Sequence, residues 1–297
     1  MSPTPSGPAT AEHAADAARE VAVEVFDRHV PPSRVPLPDS EWEDQVIDEA
    51  CRELRLPTIR ARFEELAGTA AREKYSYKQF LADLLQVECV DRDTRRKQRM
   101  VRAAKFPRQK RMEEYDPTWN PNVPPEVVGL ITDPSWVREG RPLVLIGDSG
   151  TGKSHLLIGA GTAAAEAGLS VRYTTTSALV NELAEAEQAR RLSSVIARYS
   201  KVDLLCLDEF GYLNLDEKGA KLLFQIFTER EERKSTAVAS NASFTEWDRT
   251  FTDPRLCAAI ADRLTFKGIL VQTGSESFRL RATEAEHAAE AARNGRL

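Results

Sequence analysis

The sequence predicts an α/β fold: a parallel sheet covered by helices on both faces, preceded by a small all-α domain. Three observations carry this. From about residue 130, short apolar runs alternate with longer helical patterns, as strands joined by crossover helices do. The first run leads directly into a glycine-rich loop, GDSGTGKS, and then into a helical stretch. Upstream of residue 113 the apolar residues recur at helical spacing.

The bulk composition fits that class. The 297 residues are 41% hydrophobic and 29% charged, enough to bury a sizeable core. No run of about 18 apolar residues is present to span a bilayer. The start, MSPTPSGPATAEHAADAARE, lacks the basic-then-apolar order of a secretory signal. Cys51, Cys89, Cys206 and Cys257 are far apart and near no histidine at ligand spacing. That argues against a zinc site or disulfide framework and for a reducing cytoplasm.

Residues 1–40 are rich in Pro, Ala and Ser and are expected to form a mobile tail, with a short helix around Ala14–Asp27. A helical domain is expected over 41–112. Within it Ile59, Phe63 and Leu66 share one helix face. Ser76 and Gln79 make a capping-box pattern ahead of Tyr77, Phe80, Leu81, Leu84 and Leu85, which fall on one face of the next helix. Residues 113–129, rich in proline, read as a linker. The α/β domain spans 130–283, with strands expected at 142–146, 169–174, 204–208, 236–240 and 269–272. Residues 284–297 form a polar tail.

Gly147 to Ser154 match G-x-x-x-x-G-K-[ST] in the strand–loop–helix setting that the motif requires. Glycines let backbone amides approach phosphate oxygens, and the helix N-terminus adds partial positive charge. The expected ATP contacts are Gly147, Asp148, Ser149, Gly150, Thr151, Gly152, Lys153, Ser154 and His155. Lys153 would reach the β- and γ-phosphates, and Ser154 would place its hydroxyl on Mg²⁺. The run LLCL ends in Asp208 and Glu209, at the strand end where open α/β sheets bind ligands. Asp208 is the candidate magnesium acid and Glu209 the candidate base for an attacking water. Asn241, after the next strand, is the candidate γ-phosphate sensor, with a strand-end cap as its structural alternative. Arg263 is the candidate finger reaching a neighbour's ATP. Arg255, eight residues earlier, is a second arginine on the same stretch.

These motifs resemble the IstB-like transposition helper ATPases of the AAA+ class, a family close to the bacterial helicase loaders. The similarity covers about residues 50–282. It runs through LRLPTIRARFEELA, YSYKQFLADLLQVE, RAAKFP, GDSGTGKSHL, YTTTSALVNEL, LLCLDEFGYLNLDEKGAKLLFQIFTER, TAVASNASFTEWDRTFTDPRLCAAIADRL and GSESFRLR. LDEFGYL with SNASFTEW and ADRL is more specific than the phosphate loop alone. The resemblance implies an AAA+ sheet, a Mg²⁺-dependent ATPase completed between subunits, and ring or spiral assembly on duplex DNA. It also implies a partner transposase whose target the protein helps select and activate. A C-terminal sensor arginine is implied as well, and Arg279 and Arg281 both qualify. Asp148 departs from the family, where proline is usual. The N-terminal tail lies outside the resemblance.

One feature stands against the net charge of -5. From Arg95 to Arg111 the chain carries nine cations and no acid: Arg95, Arg96, Lys97, Arg99, Arg102, Lys105, Arg108, Lys110 and Arg111. Local charge sets phosphate binding, so this block is the candidate duplex-DNA contact, read without regard to sequence. A solvated helix face is the plainer alternative. Pro107 is expected to end the helix near Phe106, which could lie on the core or on a nucleotide base. A helicase loader acting in replication would share the ATP site and differ in its partner. A small-molecule kinase would have no use for Arg263, and a binding module with a dead ATP site would not need Lys153 and Glu209.

Overall fold

The computed structural model describes residues 39–211, 215–249, 251 and 253–278. The expectations for residues 1–38 and 284–297, and the choice between Arg279 and Arg281, lie outside these residues. The described chain forms two compact units that divide between Val90 and Asp91.

The first unit holds α1 (Asp39–Glu53), α2 (Pro57–Arg72) and the start of α3 (Tyr77–Ala104). Pro57 opens α2, where a missing amide costs nothing. The next amides, of Thr58 and Ile59, donate to the buried carboxylate of Glu88 at 2.8 and 3.1 Å. Ser76 caps α3 by accepting from the amide of Gln79 at 3.2 Å. The small core gathers Cys51, Ile59, Phe63, Leu66, Phe80 and Leu84. The expected five-residue face of α3 is therefore narrower than its periodicity suggested. Tyr77, Leu81 and Leu85 remain exposed, because one short helical pair cannot cover so wide a stripe.

The second unit is a five-stranded, wholly parallel sheet in the order β2-β3-β4-β1-β5. Its strands are β1 (Leu143–Ile146), β2 (Val171–Thr175), β3 (Leu204–Phe210), β4 (Ser235–Ser240) and β5 (Ile269–Gln272). Each sits where an apolar run predicted one, and β3 extends two residues beyond the expected end. Successive side chains point to opposite faces. Leu205 and Leu207 enter one core with α7 (Thr176–Gln188), α8 (Leu192–Lys201), α9 (Glu217–Arg230) and α10 (Pro254–Thr265). Leu204 and Cys206 enter the other, with α4 (Pro125–Thr132), α5 (Ser135–Arg138) and α6 (Lys153–Glu166). Burial on both faces explains why β1, β3 and β4 read as continuous apolar runs, while the edge strand β5 leaves Leu270 exposed.

The second core also absorbs the basic segment. α3 ends at Ala104, which is fully buried, and Lys105 turns the chain with a left-handed φ of 60°. Phe106 and Met112 then lie on α6 at two glycines. A Cβ on Gly161 would sit 2.9 Å from the Phe106 ring, and one on Gly159 would sit 2.5 Å from the Met112 sulfur. Two glycines inside a helix cost about 1 kcal/mol each relative to alanine, and here they permit the close approach. Phe106 thus takes the core placement of its two alternatives. The segment read as a linker is packed as well: Val123 is fully buried, and Pro125 opens α4.

Glycine substitutions separate close approach from mere tolerance. Gly161→Val should lower stability by about 1–3 kcal/mol through overpacking against Phe106. Gly68→Ala, at a helical site with open space around it, should raise stability by about 0.5–1 kcal/mol. Urea denaturation of both variants checks the pair; equal effects would contradict the packing described.

Candidate nucleotide site

The strand order brings β3, β4 and β1 side by side, so their C-terminal ends form one edge. The phosphate loop leaves the end of β1. Gly147 donates its amide to Ser240 of β4 at 3.2 Å, which places Asn241 beside the loop. A Cβ on Gly147 would lie 2.2 Å from the Thr273 hydroxyl and 2.7 Å from the Gly274 carbonyl, so the loop's entry admits only glycine. Gly150 and Gly152 have φ of 87° and 94°, left-handed values that side chains resist. Gly152 caps α6, whose first amides have no acceptor within the helix and face outward from its N-terminus.

The loop is held largely through its carbonyls. Asp148 O accepts from Lys153 Nζ at 2.7 Å and from Thr151 Oγ1 at 2.9 Å. Gly150 O accepts from the Phe278 amide at 3.0 Å. Asn120 Nδ2 donates to Thr151 O at 3.1 Å and to Thr273 O at 2.9 Å. The buried Thr151 hydroxyl meets Thr273 Oγ1 at 2.6 Å. Asp148 and Ser149 are exposed at the loop tip, so aspartate in place of proline creates no clash. His155 faces away from the loop mouth: its ring bonds Arg111 O at 3.0 Å and meets Tyr115 edge-on at 5.6 Å. Trp119 and Phe278, both partly exposed, form a second edge-on pair at 5.0 Å beside the loop.

On β3, Asp208 is buried and Glu209 is exposed. The register with β4 shifts between Leu207 and Phe210, and Glu209 takes a left-handed φ of 58°. This bulge turns the Glu209 carboxylate out at the sheet edge while Phe210 returns to the core against Trp247, Phe251 and Phe227. The Asp208 carboxylate accepts from Tyr173 OH at 2.8 Å and from the Glu209 amide at 2.9 Å. Burial, followed by the Asp208 charge, pushes the Tyr173 hydroxyl far above its usual range, so it donates at neutral pH. Asn241 Oδ1 is buried with no hydrogen-bond partner among the described residues. An unpaired buried acceptor costs stability unless a ligand or water supplies a donor. The donor set therefore fits a nucleotide with a hard cation: a helix N-terminus, a lysine, a hydroxyl on Ser154, two acids and an orphaned amide oxygen.

Arg263 lies elsewhere. It pairs with Glu231 at 2.9 Å and lies 4.7 Å over the Phe224 ring. It sits shortly before β5, and β5 begins opposite Leu143, where β1 begins. The phosphate loop follows the other end of β1, so Arg263 is at the opposite edge of the sheet from its own chain's loop. Arg255 is exposed in the first turn of α10.

The basic block lines the outer side of α6. Lys97, Arg102, Lys105, Arg108, Lys110 and Arg111 surround a cleft of about 860 Å³ whose floor includes Thr162 and Glu166. Arg95 pairs with Asp91, Lys97 with Asp93 and Arg111 with Glu166. The Arg96 guanidinium covers Gly168, where it complements the C-terminal end of α6. Among the described residues Arg99, Arg102, Lys105, Arg108 and Lys110 form no ion pair. No described helix is long and apolar enough to cross a membrane.

Sequence reasoning missed Asn120, Thr273 and Tyr173, which support the loop and the acid from far away in the chain. The glycines of GAG inside α6 were a legible sign of close approach, with the partner unspecified. Asn120→Ala should leave two loop-region carbonyls without this donor, at about 1–3 kcal/mol. The dissociation constant for ATP, measured by calorimetry, should rise about tenfold.

Similarity to known proteins gives the family. The model of the IstB-like ATP binding protein family matches residues 49–286. An insertion sequence ATP-binding protein of Sinorhizobium fredii is 35% identical over 80% of this chain and 81% of its own. The insertion sequence IS5376 ATP-binding protein of Geobacillus stearothermophilus is 33% identical over 79% of this chain and 94% of its own. Among solved structures, the DnaC helicase loader covers 55% of this chain and 95% of its own, at 20% identity and a TM-score of 0.46. The chain belongs to the IstB-like ATP-binding protein family and is related to the ATP-binding proteins of insertion sequences.

Proposed function

We propose that this ATPase assembles on duplex DNA when ATP is bound and helps a partner transposase select and activate its target. The observation that carries the DNA reading is the basic cleft on the outer side of α6, the helix whose N-terminus follows the phosphate loop. Five cations of the block have no protein partner among the described residues and suit phosphates, which bind Lys and Arg without regard to sequence. The transposase partner is supported by the insertion-sequence relatives, of whose lengths this chain covers 81% and 94%.

At the nucleotide, Gly147 to Ser154 cradle the triphosphate and Lys153 reaches the β- and γ-phosphates. Ser154 and Asp208 would hold a Mg²⁺ ion, which would supply positive charge beside the phosphates. Glu209, set out into solvent by the bulge, takes the proton of the attacking water. Asn241 accepts from the same water through its orphaned Oδ1, or donates from Nδ2 to the γ-phosphate. Arg263, at the far edge of the sheet, serves a neighbouring subunit's ATP rather than its own, which makes assembly part of catalysis. The reading places the protein in the cytoplasm, with its DNA.

Binding to random-sequence duplex DNA over a salt series tests this. Binding should require ATP and tighten in Glu209→Gln, which retains the triphosphate. Five phosphate contacts give a log–log salt slope of about -4 to -5. Neutralising Arg102, Lys105 and Arg108 together should reduce that slope by about 3. Absence of DNA binding in every nucleotide state would overturn the DNA reading.

A further inference from the structure

The basic segment and the magnesium acid are joined by two side chains. Phe106 follows Lys105 of the cleft and lies between α6 and the sheet, against Gly161 and Cys206. Its ring meets Tyr173 edge-on at 6.0 Å with an interplanar angle of 62°. Tyr173 is on β2 and pairs in register with Cys206 of β3. Its hydroxyl donates to Asp208 Oδ2 at 2.8 Å. The other oxygen, Oδ1, is taken by the amide of Glu209, the next residue in the chain. One bond to Asp208 is thus local and fixed by the bulge. The other comes from a different strand and depends on where the Tyr173 ring lies. Phe106 limits that position from the α6 side.

From this geometry we infer that Tyr173 is a positioning residue for Asp208, and that Phe106 makes the basic segment part of the same support. The inference rests on the reading of Asp208 as the magnesium acid. Partners beyond a metal's direct ligands orient those ligands, and losing one typically weakens metal binding by about tenfold or more. Tyrosine to phenylalanine keeps the ring and its packing and removes only the donor. Phenylalanine to leucine at 106 keeps most of the apolar volume and removes the edge-on ring contact. Neither change touches the phosphate loop, and neither adds or removes charge.

The test titrates Mg²⁺ against binding of a fluorescent ATP analogue by the full chain, from an EDTA baseline, for wild type, Asp208→Asn, Tyr173→Phe and Phe106→Leu. Nucleotide affinity in EDTA should be alike in all four. Half-saturating Mg²⁺ should rise about tenfold in Tyr173→Phe and about threefold in Phe106→Leu. If Asp208→Asn raises the Mg²⁺ requirement and Tyr173→Phe titrates like wild type, the positioning role is overturned. A shift in Tyr173→Phe with none in Phe106→Leu overturns the link to the basic segment. If Asp208→Asn itself leaves the requirement unchanged, the magnesium reading of that acid fails, and the inference falls with it for a separately visible reason.

Discussion

A loop that binds phosphate through backbone amides cannot rely on those amides to hold itself together. Much of the second unit follows from this constraint. The loop here is fastened mainly by donors to its carbonyls: Lys153 and Thr151 to Asp148, Phe278 to Gly150, and Asn120 to Thr151. Lys153 and Thr151 belong to the loop itself, and the other two donors come from remote stretches of chain, before β1 and after β5. The parallel sheet matters because it brings those two stretches to the loop's edge. The Asn120 amide ties them together, bonding the loop and the residue after β5.

The same economy operates at the two acids. A regular strand would alternate Asp208 and Glu209 across the sheet and carry Phe210 back beside Asp208. The bulge changes the spacing, so the acid that needs shelter is buried and the acid that needs water is exposed. The left-handed backbone at Glu209 is strained for a residue with a side chain, by about 1–3 kcal/mol. Phe210 anchors the strand just beyond it in an aromatic cluster with Trp247, whose indole nitrogen bonds Ser240 Oγ at 3.0 Å. That cluster holds the end of β4 next to the end of β3, and so fixes Asn241 relative to both acids.

What was legible in the sequence was local. Five apolar runs gave five strands, of which β1, β3 and β4 are buried on both faces while the edge strand β5 alternates buried and exposed residues, and the phosphate loop was legible because its glycines and lysine lie within eight consecutive residues. The supports were illegible for the opposite reason. Asn120 and Thr273 are 153 residues apart, and Tyr173 reaches Asp208 across 35. Nothing in a proline-rich stretch marks one asparagine as a clamp, and a tyrosine in an apolar strand reads as core. The face of α3 was overread because periodicity reports which residues could be buried together. How many are buried depends on the size of the partner surface, which a single helix does not encode.

Helix α6 depends on remote stretches of chain in the same way. Most of its residues are buried, although a helix packed only on a sheet would keep a polar outer face. Phe106 covers the helix at Gly161, on the side that also meets Cys206 of the sheet, Met112 covers it at Gly159, and Thr162 and Glu166 meet the basic cleft. Detaching the basic segment would re-expose both side chains, at about 1.5–3 kcal/mol each, and would uncover the two glycines. The basic segment is therefore fastened to the same helix that begins at the phosphate loop, through side chains whose release would be costly.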